Sequence, residues 1–174
     1  MGEKTRALLG QFEACCRTAA DLEKATAASF HQHPDAEILT SLPGLGALLG
    51  ARVLAEIGDD PTRFADARGL KAYAGAAPVT RASGKTCSVI RHRVKNDRLA
   101  VVGYVWAFTT LTKSAGADAL YRRARGGGQH HVAALRRVFQ KLLGCLYHCL
   151  QTRTPYDEHA AFPSTPAAEL QPVA

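Results

Sequence analysis

The chain has 174 residues, of which 47% are hydrophobic and 21% are charged, and its net charge is +7. This length suits one globular domain with a helical extension rather than two full domains. No apolar run is long enough to span a membrane and no signal peptide is recognisable, so we expect a cytoplasmic protein. The five cysteines form no CxxC pair, and their odd number argues against a secreted disulfide scaffold.

The positive charge is concentrated in the second half of the chain. Between Arg81 and Arg153 there are fourteen lysines and arginines and two acids, Asp97 and Asp118, which gives +12. The rest of the chain carries −5. A basic segment in an otherwise acidic chain is typical of a protein that binds a polyanion such as DNA, although a solvated positive face without a partner gives the same count.

The first predicted element is a helix from about Glu3 to Phe30. Apolar and small residues alternate in it by four and three positions, which is the pattern of a coiled-coil seam: Leu8, Phe12, Cys15, Ala19, Leu22 and Thr26. Residues 1–34 are therefore predicted as a coiled-coil-like helix. This helix packs either on a second copy, which would make a homo-oligomer, or on its own domain.

Two short helices joined by a glycine turn are predicted between Asp35 and Gly58. The turn is the sequence PGLG at 43–46. Its glycines permit a tight turn with φ above zero, and they let amide groups at the start of the second helix approach a phosphate. The pattern predicts a helix-hairpin-helix that contacts the DNA backbone at Gly44 and Gly46. A simple helical hairpin is the plainer alternative.

The remainder is also predicted to be helical. One helix is expected over Arg63–Ala74, and two longer ones over Asp97–Ser114 and His130–Thr152, the last with a strong apolar stripe. The segment TCSVIRHRV suits a short strand. Between the long helices, YRRARGGGQHH is expected to be a flexible basic loop that offers three DNA contacts: Arg122, Arg123 and Arg125.

The predicted fold class is thus mainly α, with an N-terminal coiled-coil-like helix, a helix-hairpin-helix and a helical domain that allows a short β-hairpin. Residues 35–158 would form that domain. Residues 159–174 are rich in proline and poor in core residues, so we predict a disordered tail there.

The segment between Thr80 and Lys95 combines a serine with many cations. Ser83 stands beside Gly84, and five cations flank it in sequence: Arg81, Lys85, Arg91, Arg93 and Lys95. A serine that attacks a phosphodiester needs positive charge near the non-bridging oxygens and freedom to align with the leaving oxygen. Ser83 is therefore the candidate catalytic nucleophile, and the five cations are candidate DNA contacts.

Two other kinds of site have partial patterns. The sequence SGKT at 83–86 resembles the end of a phosphate-binding loop, GxxxxGK[ST], but its first glycine would fall at Val79. Cys145, His148 and Cys149 could share a helix face, yet no second pair of metal ligands is evident. Small buried helix residues are the plainer interpretation, and no metal site is predicted in this chain.

Several segments follow one another in a specific order from about Asp35 to Glu158: LPGLGALLGARVLAEIGD, RFADARGLKAYAGAAP, SGK, a basic stretch, YRRARGGG and TPYDE. This order resembles the C-terminal domain of transposases of the insertion-sequence 110/116/902 family. The resemblance implies a DNA recombinase whose SG-motif serine forms a transient phosphoserine link to DNA, a role that falls on Ser83. It further implies three partners: DNA, a guide RNA from the mobile element, and a second protomer bound through the coiled coil.

The sequence also departs from the family pattern. Full-length members carry a RuvC-like domain with an acidic cluster that binds a divalent metal such as Mg²⁺, and we expect this chain to lack that half. A cofactor is thus expected only in the absent domain. A Lys-Arg-Gly-Asn-like run of the family is VKND at 94–97 here, without the glycine. The leading interpretation is a transposase C-terminal domain with Ser83 as nucleophile. A truncated gene, a decayed remnant or one piece of a split protein would each fit, so autonomous transposition is not expected. The alternatives are a non-catalytic helix-hairpin-helix nucleic-acid-binding module and a dimerisation fragment.

Overall fold

A computed structural model describes residues 2–84, 86–91 and 94–163, with the side chains of 80–82 and 86–91 left undescribed. Within these residues the chain forms eight helices and one two-stranded sheet. The elements are α1 (Glu3–His31), α2 (Ala36–Ser41), α3 (Ala47–Ile57), α4 (Ala67–Tyr73), β1 (Pro78–Ser83), β2 (Thr86–Arg91), α5 (Asp97–Thr110), α6 (Ala115–Gly126), α7 (His131–Thr152) and α8 (Glu158–Ala161). The predicted mainly α fold class is confirmed, and so is the short β-hairpin.

Helix α1 projects from the rest of the domain. It has 29 residues, about 43 Å at 1.5 Å per residue, and its buried residue is Phe30. The Phe30 ring lies against Gly50 of α3, where an added Cβ would be 2.9 Å from Cζ. The apolar residues of the predicted seam face solvent, with Phe12 67% exposed. The idea that this seam packs on its own domain is therefore wrong for the described part of the chain.

Helices α5 and α7 cross at the centre of the core. Gly103 of α5 permits the contact, because a Cβ at that position would be 2.2 Å from Cζ of Phe139. Trp106 is fully buried and meets the Phe139 ring edge-on, with 6.0 Å between the centroids. Other fully buried residues complete this core: Leu39, Val53, Leu70, Leu99, Leu135, Leu142 and Leu146. None of the helices in the described residues is both long and apolar enough to cross a membrane.

The flexible basic loop predicted between the two long helices is wrong, because most of it is helix α6. Ser114 caps the helix by accepting a hydrogen bond from Ala117 N at 3.0 Å. One turn on, Asp118 pairs with Arg122 Nε at 2.7 Å, a spacing that supports helices. The glycines that suggested a loop lie at the end of the helix, where Gly128 has a φ of +81°.

The helix predicted over Arg63–Ala74 is shorter than expected, because α4 begins at Ala67. Asp66 caps it by accepting a hydrogen bond from Gly69 N at 2.8 Å. Asp60, in the preceding segment, accepts hydrogen bonds from the hydroxyl and the amide of Thr62 at 2.7 Å and 2.8 Å. These two bonds hold the pKa of Asp60 below its usual value and fix a turn before Arg63. The extended backbone of Asp66 (φ −155°) marks the start of the helix.

The chain stays packed on the domain beyond the point where a disordered tail was predicted. Ala161 is buried, and the Phe162 ring lies against Gly116, where an added Cβ would be 2.3 Å from Cγ. The ammonium of Lys141 lies 5.5 Å from the centroid of the same ring. The prediction of disorder over 159–174 is thus wrong for 159–163, and residues 164–174 lie outside the described residues.

A carboxylate at the start of α8 joins the C-terminal segment to α6. Glu158 Oε1 accepts hydrogen bonds from Ser114 Oγ (2.6 Å) and Gly116 N (3.0 Å), and Oε2 accepts one from Tyr156 Oη (2.8 Å). Burial raises the pKa of Glu158, but the three donors favour the charged form and outweigh burial, so its pKa lies below the ordinary value. Burial and the Glu158 carboxylate raise the pKa of Tyr156.

Replacing Glu158 by glutamine should make folding less sensitive to acid. Because its folded-state pKa is depressed, ionised Glu158 contributes stability above its ordinary pKa, and this contribution is lost as pH falls through the folded value. In urea unfolding between about pH 6 and pH 3, the free energy of unfolding should therefore fall more steeply in the wild type than in Glu158→Gln. The exposed Glu13→Gln is the control and should keep the wild-type slope. Equal slopes for the wild type and Glu158→Gln would contradict the prediction.

Candidate nucleic-acid interface

Ser83 lies at the exposed tip of the β-hairpin. The strands pair antiparallel from Pro78 opposite Arg91 to Ser83 opposite Thr86, and Gly84 lies in a turn after β1. Gly84 has a φ of +55°, in the left-handed region that such turns need and that glycine adopts readily. The hairpin thus presents a serine hydroxyl at the end of an extended element, where a large ligand can reach it.

Two of the cations predicted around Ser83 belong to the strands of this hairpin. Arg81 lies two positions before Ser83 in β1, and Arg91 is the last residue of β2. The side chains of both are outside the described part of the structure. Lys85 and Arg93 lie outside the described residues altogether. The assignment of all four to DNA contact stays a prediction that rests on their positions in the sequence.

Lys95 closes the base of the hairpin. Its aliphatic stem lies on Gly75, where an added Cβ would be 2.2 Å from Lys95 Cδ, and Gly75 has a φ of +69°. Its ammonium pairs with Asp97, and its side chain is 20% exposed. Lys95 therefore ties the start of α5 to the segment that leads into β1. Its predicted DNA contact remains a prediction, and the structure gives this residue a contact within the protein.

Asn96 links three helices at the same point. Its backbone N donates to Tyr73 O at 2.8 Å, and its Nδ2 donates to Glu56 Oε2 and Tyr73 Oη, both at 2.7 Å. Its Oδ1 accepts a hydrogen bond from Leu99 N at 2.9 Å and so caps α5. Glu56 belongs to α3 and Tyr73 to α4. We call this group the hairpin clamp, because it joins α4 and α5, the helices that precede and follow the β-hairpin in the chain, to α3.

Arg63 completes the hairpin clamp. Its Nη2 donates to Tyr73 Oη at 3.1 Å, and its Nη1 donates to Ile57 O at 2.8 Å, at the end of α3. The guanidinium also lies 5.0 Å from the centroid of the Tyr73 ring. The sequence analysis did not identify these positioning residues. The local signal that could have found Asn96 is its place immediately before an apolar helix, where asparagine is a favoured cap.

The glycine turn between α2 and α3 packs on α5. Pro43 O accepts hydrogen bonds from Trp106 Nε1 (2.9 Å) and Thr110 Oγ1 (2.8 Å). Gly44 has a φ of +81°, and a Cβ there would be 2.8 Å from the hydroxyl oxygens of both Thr109 and Thr110. The predicted need for glycine with a positive φ is therefore confirmed at Gly44, where steric space and backbone conformation both require it.

Gly46 has a different part in the turn. Its φ is −81°, so the positive φ predicted for this glycine is wrong, and it is exposed at the N-terminus of α3. Gly46, at the N-cap position, has no side chain with which to cap this helix, and the first amide groups of a helix have no partner within the helix. A groove beside them is also lined by Thr40 and Lys113. The carboxylate of Glu158 lines the same groove, so it shares the groove with the amide donors and the Lys113 ammonium. Amide groups at a helix N-terminus favour a phosphate group.

The three arginines predicted as loop contacts are exposed on helix α6 instead. Arg122 pairs with Asp118, and Arg125 Nη1 donates to Gln129 O at 2.7 Å. Arg123 lies between them in the last two turns. A helix holds these guanidinium groups at fixed spacing, which a flexible loop would not do.

The cysteines of α7 are placed as core residues. Cys149 is buried and Cys145 is half-buried. Burial raises the pKa of both thiols and disfavours the thiolate form that binds metals. Among the residues described, no group of three histidine, cysteine or carboxylate side chains is placed to hold a metal ion.

Residues 36–122 match the family model of the IS116/IS110/IS902 transposases. The chain belongs to this transposase family. Over 161 residues it is 56% identical to the mini-circle protein assigned as a transposase for IS117 of Streptomyces coelicolor. The aligned region makes up 92% of this chain and 39% of that protein. It is 34% identical to the 42 kDa protein of insertion element IS900 of Mycobacterium paratuberculosis, over 73% of this chain and 32% of that protein. The transposase chain thus spans less than half the length of these relatives.

The match to the transposase family covers the candidate interface except for Arg123 and Arg125. It begins at the first residue of α2 and ends at Arg122 in α6. The glycine turn, the hairpin clamp and the β-hairpin with Ser83 all lie inside these limits. The same part of the transposase chain therefore contains both the candidate nucleophile and the hairpin clamp.

Proposed function

We propose that this domain cleaves and rejoins DNA strands for a transposase, with Ser83 as the nucleophile. The observation that supports the proposal is the exposed position of Ser83 at the hairpin tip of a transposase-family domain. The tip is the part of a hairpin that can reach furthest toward a DNA backbone. The basic residues at 81, 85 and 91 belong to the same segment and would compensate phosphate charge.

The proposed reaction is a pair of transesterifications. Ser83 Oγ attacks a DNA phosphorus, the bond from phosphorus to one deoxyribose oxygen breaks, and the serine proton passes to that leaving oxygen. The product is a phosphoserine that links protein and DNA. Attack by a deoxyribose hydroxyl of another strand reverses these steps, releases the serine and joins the strands. Covalent catalysis of this kind divides one difficult step into two easier ones.

The glycine turn and α6 would hold other phosphates of the DNA backbone. The amide groups that follow Gly46 and the ammonium of Lys113 suit one phosphate, and the arginines of α6 suit others. The glycine turn also favours the second candidate function, a nucleic-acid-binding module that does not cut. In both cases binding should weaken steeply as salt increases, because it releases counterions from DNA.

The rest of a full-length transposase would supply further parts. We propose that a RuvC-like domain provides carboxylates and a divalent metal such as Mg²⁺, and that a guide RNA selects the DNA sites. Both proposals come from the family resemblance. They explain why the isolated chain could bind DNA and yet need a second component before Ser83 reacts.

A covalent-capture assay tests the proposed function. The chain is mixed with nicked element-end DNA, with and without a separately supplied RuvC-like half and guide RNA, and protein–DNA adducts are separated on a denaturing gel. Mass spectrometry of the digested adduct should find the nucleotide on the peptide that contains Ser83. DNA binding without an adduct in any combination would instead support the non-catalytic module.

We also propose that α1 joins two copies of the chain. Because Leu8, Phe12 and Leu22 are more than 60% exposed along one seam, pairing would remove a continuous apolar surface from water. Phe12→Glu should convert a dimer into a monomer in sedimentation equilibrium, since it places a charge within the seam. Ala20→Glu adds the same charge off the seam and should leave the dimer intact. A wild-type monomer at high concentration would contradict this proposal.

A further inference from the structure

An apolar stripe along α5 lies open to solvent. Four residues at helical spacing form it, with exposed fractions of 42–62%: Val101, Tyr104, Val105 and Phe108. The opposite side of the same helix carries the buried Val102 and Trp106, so the stripe is not needed for the core. Large exposed apolar residues that are contiguous, rather than scattered, mark binding surfaces.

The stripe continues onto α6 and α7 through three rings. Tyr104 Oη lies 3.3 Å from His131 Nε2, and Tyr121 Oη lies 2.7 Å from His131 Nδ1. Both tyrosine rings meet the imidazole edge-on, at centroid distances of 6.3 Å and 5.8 Å. These contacts hold the Tyr104 ring in place. Phe108 lies one turn further along α5, about 6 Å away along the helix axis.

The margin of this aromatic face is positively charged. Arg98 is exposed one turn before the stripe, and Arg125 lies one turn after Tyr121 on α6. The acids of these two helices are engaged by cations: Asp97 by Lys95 and Asp118 by Arg122. Helix α7 contains no acidic residue. A surface that offers exposed rings beside guanidinium groups suits a ligand with flat π-faces and phosphates.

We propose that the face formed by Tyr104, Phe108 and His131 binds unpaired DNA bases by stacking. The proposal rests on the proposed function, since strand exchange separates bases from their partners close to the cut. A second copy of the chain is a poorer occupant, because it would bring an equally positive margin against this one. Single-stranded DNA brings the opposite charge, and its bases stack on aromatic side chains with little dependence on sequence.

The test compares variants that keep apolar area with one that keeps the ring. Fluorescence anisotropy of the full chain is measured with oligo(dT) of about twenty nucleotides and with a duplex of equal length. Tyr104→Leu and Phe108→Leu remove a stacking ring but retain apolar surface, so each should weaken oligo(dT) binding about ten-fold. Tyr104→Phe keeps the ring and should bind as the wild type does. Duplex binding should change less than about two-fold in all three variants, because its phosphate contacts are elsewhere.

Two results would overturn the stacking proposal. Wild-type oligo(dT) affinity in both leucine variants would indicate a protein partner, whose apolar contacts leucine can maintain. An equal loss of oligo(dT) and duplex binding in both variants would indicate contacts shared by all DNA. The Ser83 adduct is scored separately. Selective loss of single-strand binding in the leucine variants, with no Ser83 adduct of the wild type in any combination with the RuvC-like half and guide RNA, would contradict the proposed function while supporting the stacking face.

Discussion

Replacing Ser83 by alanine should abolish the covalent attachment of DNA and lower strand exchange at least about a thousand-fold. Alanine has no oxygen to attack phosphorus, and the serine hydroxyl lies at the exposed tip of the hairpin. The variant is best made in a full-length protein. The IS117 protein is suitable, because it is 56% identical to this chain over 161 residues that make up 39% of its length. This domain can replace the matching region there.

The same substitution should leave DNA binding within about two-fold of the wild type. Ser83 is uncharged, so the Ser83→Ala variant should release as many counterions on binding DNA as the wild type does. The dependence of binding on salt should therefore be unchanged. Anisotropy at two salt concentrations measures this directly. A parallel loss of binding and recombination would mean that Ser83 supports the interface rather than the chemistry.

Thr86 provides a matched control at the hairpin tip. It is the register partner of Ser83 across the turn, and Thr86→Val removes a hydroxyl while it keeps a β-branched residue suited to a strand. Recombination should therefore survive in Thr86→Val. Persistent recombination in Ser83→Ala, or equal losses in both variants, would contradict the assignment of the nucleophile.

The elements that sequence analysis predicted well are those determined by local pattern. Helix α1 and helix α7 follow from apolar periodicity, and the turn before α3 follows from two glycines, one of which has the expected positive φ. Helix α6 was missed because three consecutive glycines suggested a loop. Its start depends on Ser114, whose hydroxyl is held by Glu158, 44 residues further along the chain. No window of local sequence contains that contact.

In the candidate site, too, the features determined by local sequence were predicted and those determined by long-range contacts were missed. A serine next to a glycine could be placed at a turn from sequence, and the basic segment around it was evident from composition. The hairpin clamp could not be found in this way. Its contacts join Asn96 to Glu56 across 40 positions and to Tyr73 across 23 positions. Lys95 was predicted as a DNA contact because it belongs to the basic segment. Its ion pair with Asp97 and its packing on Gly75 became evident only from the folded structure.

Asn96→Ala should lower the free energy of unfolding by about 2–3 kcal/mol, measured by urea denaturation. The loss of the α5 cap should account for about 1 kcal/mol, and the lost donors to Glu56 and Tyr73 for most of the rest. We also expect a lower yield of the Ser83 adduct at temperatures where the variant is fully folded. The reason is that the helices flanking the hairpin would no longer be tied to α3, which belongs to the helix-hairpin-helix that we propose holds the DNA.

Asn96→Ser separates the stability of α5 from the positioning of the hairpin. Serine retains the oxygen that caps α5, so this variant should lose only about 1–2 kcal/mol, but its side chain is too short to reach Glu56. If the hairpin clamp positions Ser83, the adduct yield should fall as far in Asn96→Ser as in Asn96→Ala, despite the difference in stability. If the yield follows stability instead, Asn96 is only a helix cap. The hairpin would then be oriented by the DNA itself, and positioning energy would come from the phosphate contacts rather than from the fold.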